Sequence, residues 1–297
     1  MVLENQSIPS VGDLLVEVEQ RFAGAELFFG HGTDNARDEA AALVFHVLGL
    51  EHGGAPGNYA EPVSEEQRLE VLGLAARRVQ ERKPLPYLLG EAWFAGLNFM
   101  IDERVLIPRS PIAELIATRF EPWLDAGRIR SILEVGTGSA CLAIACASAF
   151  PGAKVVATDI SADALAVARI NVAKHDVAGR VQLVEADHLD GIRGTYDLII
   201  ANPPYVPRDE MAALAAEYRH EPALGLVSGA DGLDSARRIL QDAPGLLNAD
   251  GLLVLEVGAQ WQAIEEAFPD LAFTWPEFEH GGIGVAVVQA ADLFSRA

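Results

Sequence analysis

From residue 131 onward the chain carries short, mainly apolar runs with scattered polar residues, most of them followed by a turn and a helical stretch. The runs are 131–135, 154–158, 181–184, 196–201 and 252–257. Mainly apolar runs of this length mark strands buried on both faces, which occur in parallel sheets covered by helices. The stretches 141–150, 162–173 and 233–243 supply such helices. An α/β fold with a mostly parallel, Rossmann-like sheet follows. In sheets of this kind ligands bind beyond the C-terminal ends of the strands, so the residues that close each run carry the functional information.

The first run closes on Gly136-Thr137-Gly138-Ser139-Ala140, ahead of a helix. Glycines permit a tight turn and close approach of backbone to a ligand at a helix N-terminus. The second run closes on Asp159, a carboxylate able to accept hydrogen bonds from both hydroxyls of a ribose, while Ser161 is the better N-cap for the next helix. The third leads to Asp187 and His188, a polar contact and a flat face where this architecture borders an adenine. The fourth ends in Asn202-Pro203-Pro204-Tyr205. The Asn side-chain oxygen and a backbone carbonyl are two acceptors, and paired prolines fix φ and remove competing N–H donors. Together they form a rigid cradle for a planar NH2 group. Tyr205 can stack on that plane or face a cationic centre such as a sulfonium.

Residues 1–91 read differently. Ser10 and Asp13 form a capping-box pattern before Val11, Leu14, Leu15, Val18 and Phe22 at helical spacing. A second helix begins near Asp34 with Ala41, Val44, Phe45 and Leu48, and a glycine-rich loop spans 52–58. Ser64 opens a third, with Leu69, Leu72, Ala76 and Val79 on one face. Three short amphipathic helices bury their stripes against one another, which predicts a small helical domain. Residues 92–109 read as a hairpin linker turning at Asp102-Glu103, and 110–297 as a second, larger domain. Within it, 210–219 reads as a helix or lid, and Phe273-Thr274-Trp275 with 284–288 as a closing antiparallel pair.

Composition narrows the partners. The formal net charge is -21, and no lysine-rich or arginine-rich block offers a stripe for a nucleic-acid backbone, so nucleic acid is disfavoured. An acidic surface suits a basic protein partner. Cys141 and Cys146 lie within one apolar run, as packing residues rather than metal ligands or a disulfide framework. No stretch approaches the ~18 apolar residues of a membrane span, and the N-terminus lacks the basic and apolar regions of a signal peptide. A cytoplasmic protein with no membrane contact and no metal is expected.

With this order of motifs the chain resembles the HemK-type protein-glutamine methyltransferases over nearly its whole length. Four stretches carry the likeness: 92–94 through 102–111, then 202–206, then Glu217-Tyr218-Arg219-His220-Glu221-Pro222, and finally 273–275 with Glu277-Phe278 and Gly281-Gly282. Ser110-Pro111 stands where the branch acting on release factors has an acidic residue. That contrast favours the branch acting on a large-subunit ribosomal protein, a basic substrate.

The resemblance implies a class I methyltransferase with a seven-stranded sheet, using S-adenosyl-L-methionine and releasing S-adenosyl-L-homocysteine. Gly136, Thr137, Gly138, Ser139 and Ala140 would hold the methionine end, Asp159 the ribose, and Asp187 with His188 the adenine side. Asn202, Pro203 and Tyr205 form the expected catalytic set, with Pro204 and Arg109 as further substrate contacts and Asn202 also touching the cofactor. The helical domain would help recognise the protein substrate. The reaction implied is methylation of a glutamine side-chain amide, with release-factor methylation or amino-methylation of a nucleic-acid base as the alternatives.

Overall fold

A computed structural model describes residues 9–50 and 59–294, so the glycine-rich loop at 52–58 and the extreme N-terminus lie outside the described residues. The chain divides into two compact units, Met1–Glu91 with Ala215–His220, and Ala92–Leu214 with Glu221–Ala297.

The first unit is helical. α1 (Val11–Ala23) starts at Ser10, whose side chain accepts from the Asp13 N–H while the Asp13 carboxylate receives the Ser10 N–H, satisfying two donors that a helix start leaves open. α2 (Ala36–Leu48) is capped by Asn35, and α3 (Glu65–Glu81) by a second reciprocal box between Ser64 and Gln67. A short α4 (Leu85–Leu89) follows. Leu14, Val18 and Phe22 meet Leu43, Val44, Val71 and Ala75 in one core.

The inward face of α3 differs from the expected one. Val71, Ala75 and Arg78 are its buried residues, whereas Leu69 is 60% exposed. Of the expected face, Leu72 and Val79 pack partly against the core, while Arg78, which pairs with the buried carboxylates Glu39 and Glu217, is fully buried.

The second unit opens with a hairpin of β1 (Glu91–Phe94) and β2 (Leu97–Met100). Its turn is Ala95-Gly96, both at positive φ, which is the two-residue turn whose twist suits paired strands. Asp102-Glu103 is therefore not the hairpin turn, and 105–107 adds no strand.

Six strands form the main sheet: β3 (Ser131–Val135), β4 (Lys154–Asp159), β5 (Val181–Glu185), β6 (Tyr196–Ala201), β7 (Leu247–Glu256) and β8 (Val285–Gln289), in the order β5-β4-β3-β6-β7-β8. All pairings are parallel except β7 with β8. The helices α5 (Ile112–Ala117), α6 (Cys141–Ala149), α7 (Ala162–Lys174), α8 (Asp234–Asp242), α9 (Trp261–Ala267) and α10 (Ala290–Phe294) are interleaved with these strands. On one face Leu133, Val135, Ile199, Ala201, Leu253 and Leu255 pack with Ala236, Ile239 and Ile264. The alternate residues Ile132, Leu198, Ile200, Leu252 and Val254 are equally buried, which explains why the runs show no polar alternation.

A seventh strand was expected at 273–275. There the pairing shrinks to one bridge, Thr274 with Val287, held by two backbone hydrogen bonds of 3.0 and 2.8 Å. Pro276 follows at once and has no N–H to continue the ladder. Likewise the stretch 210–219 forms two short 3-10 turns, Glu210–Ala213 and Ala216–His220, and the second belongs to the first unit. Among the described residues no helix is long and apolar enough to cross a membrane.

Candidate active site

Sheet order places the site. The chain runs outward from β3 through β4 to β5, then returns to lay β6 on the other side of β3. Connections leaving β3 and β6 diverge to opposite sides, so a crevice opens between their C-terminal ends. In the register Val135 pairs with Ala201 and with Thr158. Gly136, Asn202 and Asp159, each the next residue along, are thereby brought to one edge by strand pairing alone.

A cavity of about 240 Å³ lies there. Of the residues expected at the site, Arg109, Gly136, Thr137, Gly138, Ser139, Asp159, Asp187, His188, Asn202, Pro203 and Pro204 line it. Ala140 and Tyr205 do not. Ala140 is fully buried at φ 65° as the N-cap of α6, so its methyl does not narrow the cavity. Glu114, at the start of α5 close to Arg109 in the sequence, does not line the cavity and instead accepts the N–H groups of Glu279 and His280 at 2.9 and 3.0 Å.

The glycine turn has room for a ligand. Gly136 and Gly138 have φ of 74° and 54°, and a Cβ added at either would meet nothing within 4 Å, so the backbone faces open space. Asp159 braces this turn. Its Oδ2 accepts the Gly138 N–H at 2.8 Å and its Oδ1 the Ser161 N–H at 2.9 Å. A carboxylate has about four lone-pair sites, so each oxygen keeps one for an incoming hydroxyl. Burial raises the Asp159 carboxyl above its ordinary range, opposed by the hydrogen bonds from Ser161 and Gly138.

At the next strand end Asp187 receives Arg238 at 2.6 Å and faces His188 Nδ1 at 2.7 Å. The Arg238 hydrogen bond, then that of His188, holds its carboxyl below the ordinary range. The Thr158 hydroxyl donates to the His188 backbone carbonyl at 3.1 Å, tying that turn to the end of β4.

The tetrapeptide lines the cavity from the end of β6. Among the described residues neither the Asn202 side-chain amide nor the Pro203 carbonyl has a hydrogen-bond partner, although both residues line the cavity. Further polar groups come from 107–110. Arg109 makes a two-pronged pair with the buried Glu221, at 2.8 and 2.6 Å, and Glu221 also accepts the Ile107 N–H at 3.1 Å.

Two acidic residues went unnoticed in the sequence. Glu134, inside β3, is 1% exposed and accepts the Thr137 hydroxyl at 2.5 Å and the Ala143 N–H at 3.0 Å. Glu256, at the end of β7, is 4% exposed and accepts the Ser110 hydroxyl at 2.5 Å. Burial pushes Glu134 up to about 8 and Glu256 to about 7. The available signal was an acid inside an otherwise apolar strand, since such residues are rarely buried unless paired.

Both acids bind a proton more tightly folded than unfolded. The stability they contribute is complete below the ordinary value of 4.5 and is lost as pH rises through about 7 for Glu256 and about 8 for Glu134. Glu134→Gln is expected to flatten the fall in urea midpoint between pH 6 and 9 relative to the parent protein. Equal slopes for the two would remove Glu134 as a source of that fall. Burial likewise raises both thiols, Cys141 to about 12, leaving them unreactive near neutrality.

A parallel sheet of this order, with an open glycine turn beside a ribose-competent carboxylate, defines a class I methyltransferase fold. The Methyltransferase small domain family matches residues 115–219, and the PrmC N-terminal domain family matches residues 14–90. In fold the chain is similar to the hMettl16 catalytic domain crystallised with a MAT2A 3′UTR hairpin, with TM-score 0.53 and 15% identity over 80% of this chain and 87% of that one. Much nearer in sequence is the ribosomal protein uL3 glutamine methyltransferase of Xanthomonas campestris pv. campestris, 46% identical over 96% of this chain and 92% of its own length. The enzyme of the same description from Neisseria gonorrhoeae is 43% identical over 93% of both chains. The chain belongs to the ribosomal protein uL3 glutamine methyltransferase family.

Proposed function

We propose that this protein transfers a methyl group from S-adenosyl-L-methionine to the side-chain amide nitrogen of a glutamine in ribosomal protein uL3. The carrying observation is the pair of acceptors, Asn202 Oδ1 and the Pro203 carbonyl, that have no hydrogen-bond partner among the described residues and line the same cavity as the glycine turn. Relatives at 43–46% identity are named for this activity. The net charge of -21 suits a basic ribosomal protein and opposes a nucleic-acid substrate. A cytoplasmic location accords with that substrate.

The residues present fit the cofactor. Gly136, Gly138 and the N-terminus of α6 would hold its methionine end, Asp159 its ribose, and Asp187 with His188 its adenine side. When bound, it supplies an electrophilic methyl group. What the chain adds is control of the amide. An amide nitrogen is a poor nucleophile because its lone pair is delocalised into the carbonyl. Acceptance of its two N–H groups by Asn202 and Pro203 fixes the plane, aims the nitrogen face into the cavity and stabilises positive charge growing there. No dedicated base is required, because the N–H becomes acidic once the new bond forms and its proton passes to solvent water.

Asp159→Ala is expected to weaken cofactor affinity by roughly 1.5–3 kcal/mol, the scale of hydrogen bonds to a charged group. Calorimetric titration with the cofactor measures it, and unchanged affinity would remove the ribose contact.

Substrate choice is tested by incubating the purified protein and methyl-labelled S-adenosyl-L-methionine with uL3, a release factor or duplex DNA, followed by peptide mass mapping. Label on a uL3 glutamine is expected. Label confined to the release factor would overturn the branch, and label on DNA the substrate class.

A further inference from the structure

We propose that Glu256 is a positioning residue for methyl transfer, its buried carboxyl joining Tyr205 of the tetrapeptide to Ser110 of the cavity-lining segment 107–110 and so setting the position of the tetrapeptide relative to that segment. The inference rests on the assignment of Asn202 and Pro203 as amide acceptors.

A carboxyl at this place demands a reason. Glu256 ends a strand whose preceding residues, Leu252 to Leu255, are all fully buried, and its cross-strand partner on β8 is the apolar Val285. Burying a carboxyl costs several kcal/mol unless hydrogen bonds repay it. Here they come from two different segments. Ser110 donates its hydroxyl to Oε2 at 2.5 Å, and the Tyr205 hydroxyl approaches Oε1 at 3.4 Å. Ser110 and its neighbour Arg109 line the cavity, and Tyr205 lies three residues beyond Asn202.

The Tyr205 ring is pinned on its other side as well. A Cβ added at Gly258 would lie 2.7 Å from Cε2 and 3.0 Å from Cζ of that ring. The tyrosine is therefore wedged between a bare backbone and the Glu256 carboxyl, and Pro203-Pro204 transmits that fixed position to Asn202 through a chain with little torsional freedom. This accounts for an aromatic residue that stands outside the cavity yet directly follows the two prolines. Displacement of a reacting group by about 1 Å costs on the order of 10²-fold in rate, so a residue that never touches substrate can govern turnover.

Ionisation governs the joint. A carboxylate accepts from both hydroxyls at once; in the protonated acid one oxygen becomes a donor, so the hydroxyl facing it must switch to acceptor and rearrange. Burial pushes Glu256 up to about 7, opposed by the hydrogen bonds from Ser110 and Tyr205 and by the charge of Arg109, which is itself paired with Glu221. Because burial pushes the Glu256 carboxyl up to about 7, turnover is expected to fall as pH drops through that value.

The test measures kcat, KM for uL3 and cofactor affinity between pH 6 and 9 for Glu256→Gln, Ser110→Ala, Tyr205→Phe and the pairwise combinations with Glu256→Gln, beside Asn202→Ala. For Glu256→Gln a fall in kcat of about 10-fold or more is expected, with cofactor affinity within about threefold and the decline below pH 7 lost. Each hydroxyl deletion lowers kcat, and adding it to Glu256→Gln has little further effect, because the three groups act as one unit. Parental kcat in Glu256→Gln beside an inactive Asn202→Ala would overturn the positioning role alone. Fully multiplicative effects would overturn it too. Near-parental turnover in Asn202→Ala would instead overturn the amide-site assignment beneath it.

Discussion

Asn202→Ala lowers turnover by about 10²-fold or more, the effect of deleting one preorganised partner of a developing charge. The side-chain oxygen it removes is one of two acceptors able to fix the plane of the target amide, and the other, the Pro203 carbonyl, cannot set that plane alone. Pro203 is buried and its φ is locked, so the backbone acceptor survives the substitution. The loss therefore appears as a fall in kcat with the cofactor still bound, because Gly136, Gly138 and Asp159 hang from β3 and β4 rather than β6. Single-turnover rates with saturating cofactor, alongside calorimetric cofactor titration, separate the two. Turnover within a few-fold of the parent would sink the amide assignment, and an equal loss of cofactor affinity would mean that Asn202 serves the other ligand. Asn202→Asp discriminates further: it keeps an acceptor oxygen and should retain more activity than alanine.

Much of this site was legible because strand pairing in a parallel sheet is a strong rule. Once 131–135, 154–158 and 196–201 are strands, Gly136, Asp159 and Asn202 must share an edge, whatever happens elsewhere. The capping boxes at Ser10 and Ser64 were equally plain, since they depend on residues three apart. What escaped were groups whose partners lie far along the chain. Nothing near Glu256 announces Ser110, 146 positions earlier, and nothing near Arg78 announces Glu217, 139 positions later. Periodicity also misled at α3, because a hydropathy pattern counts arginine as a surface residue and cannot see that two carboxylates await it. Tyr205 shows the same limit from the other side. Its chemistry allows stacking on a substrate, but Gly258 and Glu256 hold it outside the cavity.

Arg78→Ala is expected to destabilise the first unit by about 3–5 kcal/mol, the scale for breaking one partner out of a buried ion pair. The arginine is 1% exposed at its side chain and spends its donors on three partners: Glu39 at 2.5 Å, Glu217 at 3.2 Å and the Phe28 carbonyl at 2.9 Å. Glu217 would keep Arg82 at 2.8 Å and the Phe28 N–H at 3.1 Å. Among the described residues Glu39 would keep only the Thr33 hydroxyl at 3.2 Å, and a buried carboxylate with one neutral donor is poorly compensated. Two consequences distinguish this from loss of packing. First, Glu39→Gln added to Arg78→Met should recover part of the stability, because the stranded charge is gone. Second, Ala215–His220 is held in this unit by Glu217, so in Arg78→Ala that segment should be cut by protease before the sheet unfolds. Urea unfolding with limited proteolysis measures both. If Arg78→Ala and Arg78→Met with Glu39→Gln unfold at the same midpoint, and 215–220 is no more readily cut than in the parent, the arginine contributes packing rather than charge.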